Sequence, residues 1–164
     1  MATWPVCFLA VETMPIPTII EGPDLPAGIH RASLTEVIGR FGGKTAQRKI
    51  IGARLERIYR VASATGHLYR FVVFGSFVTR KAHPNDVDIF MLMEDSFDAG
   101  SLTGEAAILF DHGAADSYWG ASVFWLRRLA AFEGEDAAIE HWQIRRDGGR
   151  RGIVEIEEEL YDLQ

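Results

Sequence analysis

The chain has 164 residues, 48% of them apolar and 24% charged, with a formal net charge of −6 and a pI near 5.3. That balance fits one globular domain with a real core, and no apolar run approaches the ~18–20 residues needed to cross a bilayer. Extended nucleic-acid binding is disfavoured, because the basic clusters (Arg80-Lys81, Arg127-Arg128, Arg145-Arg146 and Arg150-Arg151) are short, although a local patch for a tRNA end stays open. Cys7 is the single cysteine, so neither an intrachain disulfide nor a cysteine zinc site can form, in keeping with a reducing cytoplasm; the short apolar runs give no reason to expect a membrane partner.

Residues 1–13 have no basic start and Glu12 interrupts their apolar character, so they make a poor secretory signal. Met14 opens a more protein-like beginning, and residues 1–13 are expected to be an upstream extension. Residues 1–24 read as an extended tail, with Pro15, Pro17 and Pro23 excluding helix. Residues 25–164 read as a single domain.

Ser33-Leu34-Thr35-Glu36 has the spacing of a capping box, and the short helix it starts should end at Gly42-Gly43. A long amphipathic helix follows over 45–64, with Ile51, Leu55, Ile58, Tyr59 and Ala62 on one face and Arg48, Arg54, Glu56 and Arg57 mostly elsewhere. Residues 68–74 and 87–93 are compact apolar runs of strand length, each covered on both faces. A short helix over 103–110, a strand over 120–126, a helix over 129–142, a turn at Asp147-Gly148-Gly149 and a last strand over 152–156 complete the pattern. The order indicates an α+β or α/β sandwich of helices on a small sheet.

Chemistry concentrates in residues 71–93. A buried strand runs into Gly75-Ser76, and glycine lets a phosphate approach the backbone. The next amides should open a helical turn whose dipole favours an anion, with the Ser76 hydroxyl, Thr79, Arg80 and Lys81 adding polar and positive groups. In the following strand Asp86, Asp88, Phe90 and Leu92 alternate onto one face. Two like charges ~7 Å apart at the mouth of a covered strand call for a counter-charge, and hard carboxylate oxygens beside a phosphate turn suit Mg²⁺ or Mn²⁺. Asp86 and Asp88 fraying into solvent is the plainer alternative.

Gly75-Ser76, nine residues, then Asp86-Val87-Asp88 resembles the signature of the DNA polymerase β-like nucleotidyltransferase superfamily. The fuller string from Gly75 to Lys81, continuing through Pro84-Asn85-Asp86-Val87-Asp88, resembles a family of small, mostly uncharacterised prokaryotic proteins within it. Leu25-Pro26-Ala27-Gly28-Ile29-His30 and Gly152-Ile153-Val154 extend the likeness.

The resemblance implies a nucleotidyltransferase-like mixed sheet with helices packed on it. It implies a divalent metal on Asp86 and Asp88, a nucleoside triphosphate on Gly75 and Ser76, and transfer of a nucleoside monophosphate to an acceptor in a protein, a tRNA end or a small molecule. It also implies a third carboxylate on the neighbouring strand, where the alternation places Ser122 instead. Asp111, Asp116 or Glu155 would have to replace it.

Two functions follow as expectations: an Mg²⁺-dependent nucleotidyltransferase, or a catalytically weakened nucleotide-binding module acting through a protein partner, as an antitoxin-like or defence-associated component would. The five histidines form no pair at metal-ligand spacing, and His83 reads as an exposed loop residue. Asp111-His112 reads as loop, and the acidic run 155–159 as a solvated edge or terminal turn. Trp119, Trp125 and Trp142 read as packing residues, with Trp119 left open as a platform for a base.

Overall fold

A computed structural model describes residues 16–158; the expected start at Met14 lies outside them. The architecture is α+β, a five-stranded mixed sheet with helices on both faces. The strands are β1 (Ile29–Ser33), β2 (Leu68–Phe74), β3 (Val87–Met93), β4 (Ala121–Arg127) and β5 (Ile153–Glu157), in the spatial order β1-β5-β2-β3-β4. β1 runs parallel to β5 and β3 to β4, whereas β2 is antiparallel to both its neighbours.

The helices form for local reasons. Helix α1 (Leu34–Phe41) starts where the Ser33 hydroxyl accepts the Glu36 amide at 3.1 Å and stops at Gly42. In α2 (Ala46–Ala64) the Thr45 hydroxyl accepts the Arg48 amide, and the buried stripe is Arg48, Ile51, Leu55, Ile58 and Ala62. Tyr59 meets Phe71 edge-on, ring centroids 5.1 Å apart. Charge alone would put Arg48 on the polar face, but it lies at the buried end of the stripe. Its guanidinium donates to the carbonyls of Phe41, Phe77, Thr79 and Lys81 at 2.5–3.1 Å, so the charge is solvated by backbone.

Helix α3 (Gly104–Leu109) lies within the expected 103–110. Helix α4 (His112–Trp119) replaces an expected loop: Asp111 caps its start by accepting the Ala114 amide, and Gly120 ends it in the left-handed conformation. Only Glu135–Glu140 of the expected helix 129–142 is α-helical (α5), flanked by 3₁₀ turns at Arg128–Ala130 and His141–Gln143.

Alternation along the strands divides the core in two. Phe71 and Val73, then Val87, Ile89, Met91 and Met93, pack with α1, α2, Leu109, Ala115 and Trp119. Val72, Phe90, Leu92 and Ile153 face the other way, against Ile139 and Trp142. Burial of these side chains, at roughly 1.5–3 kcal/mol each, is the main stabilising term. The segment before β1 lies extended against the domain, with Ile19 and Leu25 buried.

β1 was absent from the expected order, and β5 inserts between β1 and β2. That insertion changes the reading of Glu155: it is not on a solvated edge but buried, accepting from Arg70 Nε and Nη2 at 2.5 and 3.0 Å and from Arg31 Nε at 3.3 Å. No helix among the described residues is long and apolar enough to cross a membrane.

Candidate functional site

A cleft of about 700 Å³ opens at the edge of the sheet where β2 ends and β3 and β4 begin. β2 delivers Phe74 opposite Asp88, and the chain then turns at Gly75 with φ 78° and ψ −163°, a conformation in which only glycine escapes strain. The group above Gly75 is the Asp88 carboxylate: a Cβ there would stand 2.8 Å from Asp88 Cγ and closer still to Oδ2. The missing Cβ therefore admits a carboxylate, where the sequence reading reserved the space for a phosphate.

The loop after it differs from expectation. Ser76–Val78 is a single 3₁₀ turn, so no helix dipole is added. Thr79 is buried, its hydroxyl donating to the Ser76 carbonyl at 2.6 Å and accepting the Lys81 amide at 3.1 Å. Thr79 shapes the loop and does not line the cleft; Ser76 and Lys81 do. Arg80 points away and donates to the Ile19 carbonyl.

Asp88 heads the expected face, followed by Phe90 and Leu92. Asp86 stands just outside the strand, which begins at Val87. The two acids are joined through Ser122, which pairs in register with Asp88 and donates its hydroxyl to Asp86 Oδ2 at 3.3 Å. Asp88 is pushed up to about 6, first by burial and then by the Asp86 charge; the Ser122 hydroxyl, Arg151 and Arg146 pull the other way.

None of the expected substitutes fills the Ser122 position. Asp111 caps α4, Asp116 is exposed on that helix, and Glu155, on β5, is held by Arg70, with β2 and β3 between β5 and β4. No cluster of three or more acidic, histidine or cysteine side chains with metal-binding geometry occurs among the described residues.

The opposite wall comes from the chain before β5, which brings Arg145, Arg146 and Arg151 to the cleft. Arg145 is braced by Asp24 at 2.8 Å and by Asp147. Trp142 supplies an apolar surface, with ring centroids 4.6 Å from Phe74 and 4.9 Å from Phe124. Trp119, the platform left open by the sequence, instead lies in the core on the other side of the sheet, beneath Arg57. Sequence reasoning missed the Arg145–Arg151 wall and Trp142. The signal in the sequence is two basic pairs around an Asp-Gly-Gly turn, which by themselves read only as a short nucleic-acid patch.

Residues 17–157 match the family described as "Family of unknown function (DUF6932)". The chain belongs to the DUF6932 family. No curated protein and no solved structure matches it. Every residue of the cleft, from Phe74 to Arg151, lies within the DUF6932 match.

Proposed function

We propose that this DUF6932 protein binds a nucleoside triphosphate with Mg²⁺ or Mn²⁺ in the cleft, as a nucleotidyltransferase-like domain. The observation that carries this reading is the pairing of opposites in one cleft. Asp88 lies against Gly75 and lines the cleft with Lys81, Arg145, Arg146 and Arg151, and Asp86 is tied to the cleft's edge through Ser122. Cations alone would suit any anion, and carboxylates alone any cation. Both together suit a metal–polyphosphate complex.

The donor set fits the metal. Mg²⁺ is commonly held by one or two carboxylates plus substrate phosphates, and Asp86 with Asp88 supplies two hard donors whose mutual repulsion a divalent ion relieves. When bound, such an ion neutralises developing charge on the phosphates. The chain's own residues do the rest. Ser76 offers a hydroxyl to a phosphate oxygen, Lys81, Arg146 and Arg151 offer charge-assisted donors, and the Trp142 ring offers a stacking surface for a base. In transfer, an acceptor oxygen attacks the α-phosphorus and the bond to the bridging oxygen breaks, releasing pyrophosphate.

Ser122 favours a second reading. A serine hydroxyl is far too weak a base near neutral pH to activate an acceptor, so a module that binds Mg-NTP and acts through a protein partner accounts for the same cleft. Incubation with labelled nucleoside triphosphates, Mg²⁺ or Mn²⁺, and lysate protein and RNA separates the two. Transfer by the wild type that disappears in Asp86→Asn/Asp88→Asn supports the enzyme; metal-dependent binding without transfer supports the module. Absence of both in the wild type refutes the proposal.

A further inference from the structure

The Gly75–Ala82 loop has two sides. Ser76 and Lys81 face the cleft, whereas Thr79, Arg80 and Ala82 wall a second cavity of about 550 Å³, closed on its far side by the α1–α2 turn. Arg40, Lys44, Arg48 and Arg80 line that cavity, and no carboxylate among the described residues does. Glu36, on the same helix as Arg40, is exposed in the first turn of α1 and outside the lining. Thr45, the cap of the 19-residue α2, also lines it, so the positive end of a long helix adds to the field.

Elsewhere in the molecule arginines meet acids: Arg57 with Glu105, Arg70 with Glu155, Arg128 with Glu135 and Arg145 with Asp24. Among the described residues none of the four cavity cations makes an ion pair. Arg40 and Arg80 donate to the carbonyls of Pro17 and Ile19, and Arg48 to the loop carbonyls. In a chain of net charge −6, Arg40, Lys44 and Arg80 beside the carbonyl-solvated Arg48, with no acid among the described lining residues, leave a field that a bound anion would neutralise.

We propose that this cavity binds the phosphate group of a small molecule. Its volume is that of a small-ligand site, and Ile19, Phe41 and Ala82 give it an apolar side that an organic ester could use. Because Arg48 ties the carbonyls of Phe77, Thr79 and Lys81 to this cavity, its occupant touches the loop whose other side borders the cleft. The site stands independently of the nucleotide reading.

The test is amide NMR of the full chain titrated with inorganic phosphate and, in parallel, phenyl phosphate. Saturable shifts are expected at Lys44, Thr45, Ala46 and Arg80. They should be retained in Arg146→Gln and weakened at least about tenfold in Arg40→Gln/Lys44→Gln. Tighter phenyl phosphate identifies an organic ester as the natural source, and tighter inorganic phosphate the free ion. Shifts confined to Ser76, Asp88 and Ser122, or an unchanged affinity in the double variant, overturn the proposal. If the double variant does not fold, Lys44→Gln carries the test alone, since its exposed side chain holds no other group in place.

Discussion

Replacing Asp88 by asparagine should stabilise the metal-free protein. Burial and the Asp86 charge raise Asp88 from 3.8 to about 6. A shift of about 2 units corresponds to about 3 kcal/mol at 1.36 kcal/mol per unit. The folded state binds this proton more tightly than the unfolded chain does, so stability is lost as pH rises from about 4 through about 6. Above that window the wild type carries the whole penalty, while Asp88→Asn, which keeps the shape and cannot ionise, carries none. Urea melts should show Asp88→Asn more stable by about 1–3 kcal/mol at pH 7.5, with unchanged m, and nearly equal to wild type at pH 4. A loss of stability at pH 7.5, or the same difference at both pH values, would refute the argument that Asp88 is kept ionisable at a cost to the fold.

Gly75→Ala should lose at least about 2 kcal/mol and disrupt metal-nucleotide binding, because it combines positive φ with a collision against the Asp88 carboxylate; a chemical melt and a binding titration check it. Arg48→Met should cost about 3 kcal/mol or more by leaving the carbonyls of Phe41, Phe77, Thr79 and Lys81 buried without their donor, measured by the same melts. Ser122→Asp adds a third carboxylate in register with Asp88. Without metal it should lower stability by about 1 kcal/mol, and it should raise Mg²⁺ affinity at least about tenfold; a calorimetric titration that finds no gain would show that the strand register does not set the metal geometry.

How far the sequence discloses this arrangement depends on how local each determinant is. The bounds of β2 and β3 follow from continuous apolar runs, and α2 from its capping threonine and its 3.6-residue stripe, all encoded within a few residues of each element. β1 is short and mixes His30 and Arg31 with apolar residues, so its pattern is faint until β5 pairs with it. The insertion of β5 is a long-range choice, and on it turns the fate of Glu155.

At the site, Asp86, Asp88 and Ser122 were legible because strand alternation is a period-two rule. The buried Arg48 is hard to read from sequence: it lies three residues before Ile51 on the same stripe, but a charged side chain there ordinarily signals exposure. The Arg145–Arg151 wall could not be placed, since a turn signal states that the chain reverses and not which cleft it reverses over.

The central claim is tested most directly by calorimetric titration of the wild type and Asp86→Asn/Asp88→Asn with nucleoside triphosphate, with and without Mg²⁺. The account predicts binding by the wild type that strengthens with Mg²⁺, and a double variant in which the Mg²⁺ dependence is gone while a weak, salt-sensitive affinity for the phosphates remains on Lys81, Arg146 and Arg151. Wild-type binding indifferent to Mg²⁺, or a double variant that keeps the full metal effect, would contradict it.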